Sequence, residues 1–471
     1  MTTTTAAASP VPAESAQYTL STPRRIGYTL GDYACNLYWQ GVSIFLLFFY
    51  TDAVGLSAAS AGLIYMIASI FDGATDPFAG VIADRTRSRW GRYRPYLLFG
   101  GVPLGAAFVL MYYKPPLEGV WLFTWMLVAH LIFRLAYTIL SIPYTSLSAR
   151  MTRSSSERGW IAGGRIFFAT LAALTISYFT QPMVAAFGDG DAAWGFTCAA
   201  AVFALIATVL FPIVFASAKE PEETIEAPRM RYMDYWKAVG NNRAFWMLMF
   251  GFGAAVVCSI AIGKSILYYY KYYLNDEPAS RYALTIQAAS GLIIVPAWVW
   301  VSKQLGKRRA WLAASTIAAT GLVYFAFTDI TNSTHMIMWL LWVHVGVLGA
   351  AFAFWAMLPD SVEYGQLKSG VRAESFIFGV GQFFLKAAIG LGAGLFGWLL
   401  DLAGYVPNVE QTPETLQGLR TIMYALPLVG VTGAFIAIYF YPIDKGDHEK
   451  IVEELKRREA AGATAGTELA E

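Results

Sequence analysis

Apolar segments of about 20 residues recur along the chain from residue 27 to residue 442. A helix needs about 20 apolar residues to cross the hydrocarbon core of a bilayer, which is about 30 Å thick. Only 14% of the residues are charged, against about 25% in typical soluble domains. These properties exclude a soluble multidomain protein and predict an all-α polytopic membrane protein. The predicted spans are 27–50, 58–83, 95–113, 119–148, 160–184, 193–217, 244–270, 282–302, 310–328, 335–358, 375–400 and 421–442.

The longest polar interruption separates the sixth span from the seventh, at residues 218–242. Six helices, a charged linker and six more helices are the layout of the major facilitator fold, which is built from two six-helix halves. The sequence therefore predicts twelve transmembrane helices in two halves. The expected divisions are a disordered tail (1–24), a first bundle (25–217), the linker (218–242), a second bundle (243–443) and a C-terminal tail (444–471).

Lysine and arginine residues are unevenly distributed between the two sides of the predicted spans. Of the 34 basic residues, 26 fall in the tails and loops on the side of the two termini, and four fall in the loops on the other side. Cytoplasmic loops of membrane proteins carry the excess of basic residues. Both termini are therefore predicted to be cytoplasmic.

The second span carries two carboxylates, Asp72 and Asp76, and an arginine-rich loop follows it at residues 85–94. Residues four apart lie on one face of a helix, and Thr75 lies close to the same face. An ionised carboxylate in hydrocarbon costs on the order of 3 kcal/mol, so such residues face a polar interior. Carboxylate and hydroxyl oxygens suit a small hard cation. The alternative is that both carboxylates form buried ion pairs with basic residues of neighbouring helices.

Other charged residues also lie inside the predicted spans. The basic ones are Arg134, Arg165, Lys264 and Lys386. With Asp32 and the two carboxylates of the second span they are functional candidates, because charges inside a membrane mark polar pathways. Four cations against three anions is close to balance, as a shared polar cavity would allow. One or two pairs are expected only to hold the bundle together, and Arg134 is the residue for which we expect this.

Polar side chains recur at helical spacing in three spans: Asp32, Asn36 and Gln40 in the first, Thr138, Ser141 and Thr145 in the fourth, and Gln382 with Lys386 in the eleventh. Amides, hydroxyls, a few charges and aromatic faces suit a sugar, which offers many hydroxyls and apolar C–H faces. The hydroxyl stripe of the fourth span is equally consistent with helix packing. The scattered histidines and the three cysteines show no metal-ligand spacing. The sequence contains no recognisable nucleophile–base pair that would indicate an enzyme.

Several stretches together resemble one known family, from about residue 27 to residue 441. They are GDYACNLYWQ, FFYTD, FDGATDPFAGVIADRTRSRWGRYRPYLL, YTILSIPYTSL and LPDSVEYGQLKSGVRAES. The chain resembles the glycoside–pentoside–hexuronide:cation symporters, the melibiose permease-like branch of the major facilitator superfamily. The resemblance implies a multi-pass protein of the bacterial inner membrane that couples sugar uptake to a cation.

The resemblance also implies roles for individual residues. The site for the coupling ion, Na⁺, H⁺ or Li⁺, would be formed by Asp72, Asp76, Thr75 and Thr138, with Na⁺ possible at the two aspartates. Arg165 would belong to the sugar site, and Lys386 would lie near both sites. The arginine loop and the loop between the tenth and eleventh spans would form a cytoplasmic gate that contains Arg85, Arg92, Asp360, Glu363, Arg372 and Glu374.

The chain departs from the family pattern at the sugar site. Asn36 and Ser141 occupy positions where melibiose-transporting members have aspartates, and Thr145 replaces a tryptophan that stacks on the sugar. Melibiose itself is therefore not the expected substrate. Lys264 makes the pocket more electropositive, which permits an anionic hexuronide, because a carboxylate gains a charge-assisted hydrogen bond there. A neutral pentoside or glycoside is equally permitted if Lys264 pairs with Asp32.

These observations predict a cation-coupled sugar symporter that works by alternating access and in which two adjacent sites, one for the cation and one for the sugar, are coupled. Trp39 and Trp355 are candidates for stacking on the sugar, beside the polar residues named above. No cofactor, nucleic acid or obligate protein partner is expected; the partners are the sugar, the bilayer and a coupling ion that is Na⁺ or H⁺. The alternatives are a lysolipid transporter of the same superfamily and a transport-dead sensor, which would look identical in sequence.

Overall fold

The computed structural model describes residues 20–152, 155–218, 220, 239–371 and 374–468, and within these ranges the chain forms helices and no strand. The helices are α1 (Thr22–Phe48), α2 (Ala58–Arg85), α3 (Arg94–Met111), α4 (Gly119–Met151), α5 (Ser155–Gly188), α6 (Ala192–Ser217), α7 (Arg243–Tyr268), α8 (Ser280–Leu305), α9 (Lys307–Phe327), α10 (Ser333–Ser369), α11 (Glu374–Leu402), α12 (Pro413–Tyr439) and α13 (Asp447–Glu468). A π-helical turn extends α1 (Phe49–Ala53), and another extends α7 (Tyr269–Tyr273).

Helices α1 to α6 pack against one another, and α7 to α12 form a second group. The two groups meet where α2 packs along α11, where α5 packs along α8, and where α1 approaches α7. The second helix of each half thus pairs with the fifth helix of the other half. This reciprocal pairing is expected when two similar six-helix halves pack together, as in the major facilitator fold. It confirms the predicted fold class.

Helices α2 to α12 are long and apolar enough to cross a membrane. The first helix, α1, is less apolar, because Asp32, Asn36 and Gln40 form a polar face along it. Its 27 residues nevertheless span about 40 Å, and it packs against α5 and α6 inside the bundle. It is therefore the twelfth helix of the membrane bundle. We call the side where α1 begins and α12 ends the termini side, and the other side the opposite side.

Two predicted boundaries are wrong. Helix α10 runs eleven residues beyond residue 358, to Ser369, so Asp360 and Glu363 lie on a helix rather than in a loop. Polar residues do not end a helix that leaves the membrane; Gly370 ends it, with a φ of 72° in the left-handed region. Helix α12 begins eight residues before residue 421, at Pro413, where Thr412 caps its N-terminus.

The predicted N-terminal tail and linker fall mostly outside the described residues. The described part of the C-terminal tail is helical, since α13 lies on the termini side and packs against α10. Its Ile451 is buried against the end of α10, near Val362. The division into domains at residues 217 and 243 stays a prediction.

Glycines on both helices allow α2 and α11 to approach closely. A Cβ atom added to Gly390 would lie 2.9 Å from the Ser69 Cβ, and one added to Gly62 would lie 2.9 Å from the Ala393 carbonyl oxygen. Small residues of this kind let membrane helices touch backbone to backbone. The contact continues to Gly73, where an added Cβ would lie 3.4 Å from the Cβ of Lys386. The glycine contact therefore brings Lys386 to the face of α2 that carries the two carboxylates.

Candidate functional site

Asp72 and Asp76 lie at mid-depth of the bundle, where α2 meets α4 and α11. Lys386 Nζ lies 2.9 Å from Asp72 Oδ2 and 2.6 Å from Asp76 Oδ2, so it bridges the two carboxylates. Thr138 Oγ lies 2.7 Å from Asp72 Oδ1 and 3.1 Å from Asp76 Oδ1. Arg134 Nη1 lies 3.3 Å from Asp72 Oδ2. We call these five residues the carboxylate cluster.

The members of the carboxylate cluster differ in their exposure. The Asp72 side chain is fully buried and the Arg134 side chain is 2% exposed. Asp76 and Lys386 are 17% and 14% exposed, so they form the accessible edge of the cluster. The Arg134–Asp72 ion pair is therefore fixed in the interior, whereas water can reach the Lys386–Asp76 ion pair beside it.

Arg134 has several further partners. Its Nε donates to His130 Nε2 over 3.2 Å, and its guanidinium lies 5.6 Å from the centroid of the Trp39 ring and 5.8 Å from that of Tyr65. Its Nη2 lies 3.5 Å from the Ser69 hydroxyl. Arginine suits such stacked, buried positions because its guanidinium is planar and weakly hydrated. The expectation that Arg134 only holds the bundle together missed its contact with the candidate cation site.

The structure brings three of the four predicted cation ligands together: Asp72, Asp76 and Thr138. Thr75 is not part of the cluster, because its hydroxyl donates to the backbone carbonyl of Asp72 over 3.1 Å. Both aspartates contact basic residues of neighbouring helices, as the alternative reading of the sequence required. Their role as ligands of an ion stays a prediction.

A second polar cluster, which we call the Asp32 cluster, consists of Asp32, Tyr144 and Arg165 and joins α1, α4 and α5. Arg165 Nε donates to Asp32 Oδ2 over 2.8 Å, and Tyr144 Oη donates to the same oxygen over 2.5 Å. The Arg165 guanidinium also lies 5.5 Å from the centroid of the Tyr144 ring. Arg165 is 27% exposed, so part of its guanidinium remains accessible for a ligand. Tyr144 was not predicted from the sequence, although it lies next to Pro143 on the fourth span.

The remaining predicted sugar residues of the first half make their hydrogen bonds mainly to the backbone of their own helices. Asn36 Nδ2 donates to the Asp32 carbonyl, and the Thr145 hydroxyl donates to the Ser141 carbonyl. The Trp39 ring lies 6.1 Å from that of Tyr137. Three side chains are half-buried and make no hydrogen bond to another described residue: Gln40, Ser141 and Gln382.

Two predicted sugar residues lie apart from the Asp32 cluster. Trp355 of α10 is 43% exposed and lies edge-on to Phe252 of α7, so its ring belongs to the second half. Lys264 is buried and donates to the backbone carbonyl oxygens of Ser43 and Val42. Its ammonium also lies 4.4 Å from the centroid of the Tyr65 ring. The suggested pairing of Lys264 with Asp32 is therefore wrong, because Asp32 pairs with Arg165 and Lys264 points to the other end of α1.

A network of hydrogen bonds around Asp52 joins the two halves on the opposite side. Asp52 Oδ1 accepts from Lys271 Nζ over 2.7 Å and from Tyr272 Oη over 2.5 Å. Asp52 Oδ2 accepts from Tyr405 Oη over 2.7 Å. The Asn408 amide donates to the Asp52 carbonyl over 2.6 Å. We call these five residues the Asp52 network.

The Asp52 network was missed because Asp52 lies at the end of a span, where charged residues are ordinary. Its position on the π-helical turn Phe49–Ala53 places its carboxylate among three residues of the second half. Asp52 is 6% exposed despite its place at the end of the bundle. The feature that marks Asp52 is the burial of a carboxylate at the end of a membrane helix. Burial of this kind cannot be predicted from a single sequence.

The predicted gate residues on the termini side contact only their own half. Lys307 Nζ lies 2.8 Å from both oxygens of Asp360, and His448 Nε2 is hydrogen-bonded to Glu363. Burial raises the pKa of nearby Tyr441, and the Asp360 carboxylate raises it further. Asp360, Glu363 and His448 offer donor atoms within 4.8 Å of one another, but Lys307 already occupies both oxygens of Asp360.

The predicted gate residues of the first half lie apart from these. The Arg92 backbone donates to Glu220, and Arg85 is exposed at the end of α2. Arg372 and the Glu374 side chain lie outside the described part. Among the described residues, no hydrogen bond or ion pair joins the halves on the termini side. The bonds between the halves that the described residues make lie at mid-depth and on the opposite side, and those of the Asp52 network close the opposite side.

The comparisons with known proteins agree with this architecture. The family model described as MFS/sugar transport protein matches residues 27–445. The "Uncharacterized symporter YnaJ" of Bacillus subtilis is 32% identical and covers 93% of this chain and 96% of its own length. The "Isoprimeverose transporter" of Lactiplantibacillus pentosus is also 32% identical, over 93% of this chain and 91% of the relative.

Solved structures show the same fold at low identity. A bacterial homologue of the human drug peptide transporters PepT1 and PepT2 superposes with a TM-score of 0.67 at 12% identity, and covers 93% of this chain and all of its own. The family match spans nearly the whole bundle, including the carboxylate cluster and the Asp52 network. The chain is therefore a multi-pass membrane protein that belongs to the MFS/sugar transport family, a family of transporters and not of enzymes.

Proposed function

We infer that this protein is a cation-coupled symporter of a glycoside, pentoside or hexuronide. The observation that supports this most is the arrangement of two polar clusters on one helix. Helix α4 supplies Thr138 to the carboxylate cluster and Tyr144 to the Asp32 cluster, less than two turns apart. Because both clusters include residues of the same rigid helix, ligand binding at the carboxylate cluster can change the affinity of the Asp32 cluster for a sugar.

Lys386 gives the coupling a physical basis. Its ammonium bridges Asp72 and Asp76, so a change in the charge of either carboxylate changes what the ammonium binds. Tyr137 and Trp39 lie between the two clusters and transmit a shift of α4 or α1 by direct packing. Any factor by which the ion strengthens sugar binding is also the factor by which the sugar strengthens ion binding. The coupling ion is Na⁺ or H⁺.

Transport proceeds by rocking of the two halves around the central clusters. In the conformation described above, the Asp52 network closes the opposite side. The excess of basic residues on the termini side supports a cytoplasmic location of both termini. The family resemblance supports the bacterial inner membrane as the location of the protein. The structure then corresponds to an inward-facing state, and uptake requires the Asp52 network to break and form again.

The substrate is held chiefly by the Asp32 cluster. A carboxylate oxygen, a guanidinium and a tyrosine within hydrogen-bonding distance offer both acceptors and donors to sugar hydroxyls. The exposed part of Arg165 can also pair with the carboxylate of a hexuronide. Lys264 contributes no charge to this cluster. A lysolipid needs an apolar channel for its chain, and the amide and hydroxyl faces of α1 and α4 suit it less well.

The test is the thermal stability of the purified protein with a panel of ligands. Isoprimeverose, neutral methyl glycosides, a methyl glucuronide and a lysophospholipid are compared at equal concentration. A ligand that binds only the folded protein raises the melting temperature by an amount set by its concentration over Kd. We expect a shift with one sugar class, lost in Arg165→Gln. A shift only with the lysophospholipid contradicts the proposed function.

A further inference from the structure

The carboxylate cluster contains equal numbers of positive and negative charges. Asp72 and Asp76 supply two carboxylates, and Arg134 and Lys386 supply two cations within 3.3 Å of them. Asp72 Oδ2 is shared by both cations, and Asp76 Oδ2 contacts Lys386. The two Oδ1 atoms both face the Thr138 hydroxyl. All four carboxylate oxygens therefore lie within 3.3 Å of a basic or hydroxyl group of the chain, although the two Oδ1 atoms share the single proton of the Thr138 hydroxyl.

The charge count would differ without Arg134. Two carboxylates and Lys386 carry one net negative charge, which a single Na⁺ or Li⁺ would neutralise. With Arg134 in place the cluster is already neutral, so a metal ion would add a net positive charge to a buried site. Burying a charge that has no partner is strongly unfavourable. The donor set does not fit an alkali-metal ion.

Arg134 cannot easily give up this position. Its side chain is 2% exposed, and His130, Ser69 and the rings of Trp39 and Tyr65 surround its guanidinium. An arginine side chain stays protonated in proteins, so it cannot neutralise itself as a buried lysine can. Packing and protonation therefore both keep the Arg134 charge in the cluster.

We propose that Arg134 takes the place of the alkali-metal ion in the carboxylate cluster, so that this transporter binds its sugar without Na⁺ or Li⁺. The proposal rests on the proposed function, and it removes Na⁺ from the two candidate coupling ions. It also makes Arg134 a residue that determines ion specificity. Removing its charge creates a site with one negative charge that Na⁺ can fill.

The first test uses the metal ion alone, without any sugar. The melting temperature of the purified full-length protein is measured with increasing NaCl, LiCl or choline chloride at constant total ionic strength. For the wild type we expect equal curves in the three salts. A saturable stabilisation of the wild type by NaCl or LiCl over choline chloride overturns the proposal.

Two variants at the same position provide the matched comparison. Arg134→Gln removes the charge, and we expect it to gain a saturable stabilisation by NaCl that choline chloride does not give. Arg134→Lys keeps the charge and should respond like the wild type. Arg134→Met is a second variant without charge in case the glutamine variant does not fold. Folded variants without charge that ignore Na⁺ contradict the proposal, and the wild-type curves decide if neither folds.

Sugar binding separates this proposal from the proposed function. Na⁺ should change the affinity of the wild type for isoprimeverose, or for whichever panel sugar binds, by less than about twofold, against roughly 5–150-fold for a typical coupled ligand. A larger effect of Na⁺ overturns the proposal but leaves sugar transport intact. If no sugar binds in any salt, the proposed function fails, whereas the response to NaCl alone still tests the role of Arg134.

Discussion

The Asp52 network should set how strongly the opposite side stays closed. Asp52→Asn keeps the shape of the side chain but removes its charge. It replaces one acceptor oxygen by an NH₂ group, which cannot accept a hydrogen bond from Lys271, Tyr272 or Tyr405. All of these bonds join the first half to the second, so they exist only while the opposite side is closed.

The size of the effect follows from these bonds. Hydrogen bonds to a charged group contribute about 1.5–3 kcal/mol each. Lys271 is 21% exposed and keeps its bond of 2.8 Å to the Asn408 side chain. The free energy lost with its bond to Asp52 therefore lies at the lower end of this range. Together with one lost tyrosine bond, we expect about 2–3 kcal/mol, or about a 30- to 150-fold shift away from the closed state. The shift acts on the conformational equilibrium because the open state makes none of these bonds.

The assay measures the distance between spin labels at Glu118 and Thr331, which are exposed on the opposite side, one in each half. In Asp52→Asn, a longer distance should become populated in the absence of ligand. Asp329→Asn is the matched control, because Asp329 accepts a bond from Tyr273 within the second half only. An Asp52→Asn distribution identical to that of the wild type would refute the role of the network in closure.

Three further changes test the central clusters and the contact between the halves. Asp76→Asn should abolish gradient-driven uptake in proteoliposomes while the melting temperature stays nearly unchanged, because Asp76 is partly exposed and its partners among the described residues are Lys386 and Thr138. Asp72→Asn should in addition lower the stability by about 3–5 kcal/mol, measured by denaturant titration, because it leaves the Arg134 side uncompensated. Gly390→Leu should lower the melting temperature strongly, because its side chain would meet Ser69 across the α2–α11 contact.

Each of these expectations can be contradicted by a simple result. Normal accumulation by Asp76→Asn would remove the carboxylate cluster from the coupling mechanism. Equal stability of the two aspartate variants would mean that the Arg134 pair contributes little. A Gly390→Leu protein with wild-type stability would mean that the two helices do not need their close approach.

The face of each helix could be predicted from the sequence, because helical spacing determines which residues point together. The polar face of α1 and the carboxylates of α2 were found in this way, and the structure places both inside the bundle. The partner on the neighbouring helix could not be predicted, because spacing within a helix says nothing about its rotation against another helix. Arg134 is 62 residues from Asp72 in the chain, and only the packing of α2 on α4 makes them a pair.

The same limit explains the errors at the helix ends. Asp360 was expected in a loop because hydropathy falls after residue 358, yet hydropathy reports the membrane boundary and not the end of the helix. The α10 backbone continues to its glycine stop outside the apolar region. Lys264 was expected at the sugar site because charges inside a membrane mark polar pathways. In the structure its ammonium instead donates to backbone carbonyls of α1, away from Asp32.

The positions of the two cross-half contacts suggest how ion and sugar binding reach the moving interface. Near Gly62 the α2–α11 contact is backbone against backbone. At Lys386 the same contact is polar, because the ammonium of α11 bridges Asp72 and Asp76 of α2, so separation of the two helices must break or exchange these ion pairs. Lys386 lies at the inner end of this contact, and Tyr405 follows the outer end of α11 in the Asp52 network. A change of partner at Lys386 therefore acts directly on the helix that carries part of the closure. This geometry requires no chain of intermediate residues between the coupling site and the gate, because one rigid helix connects them.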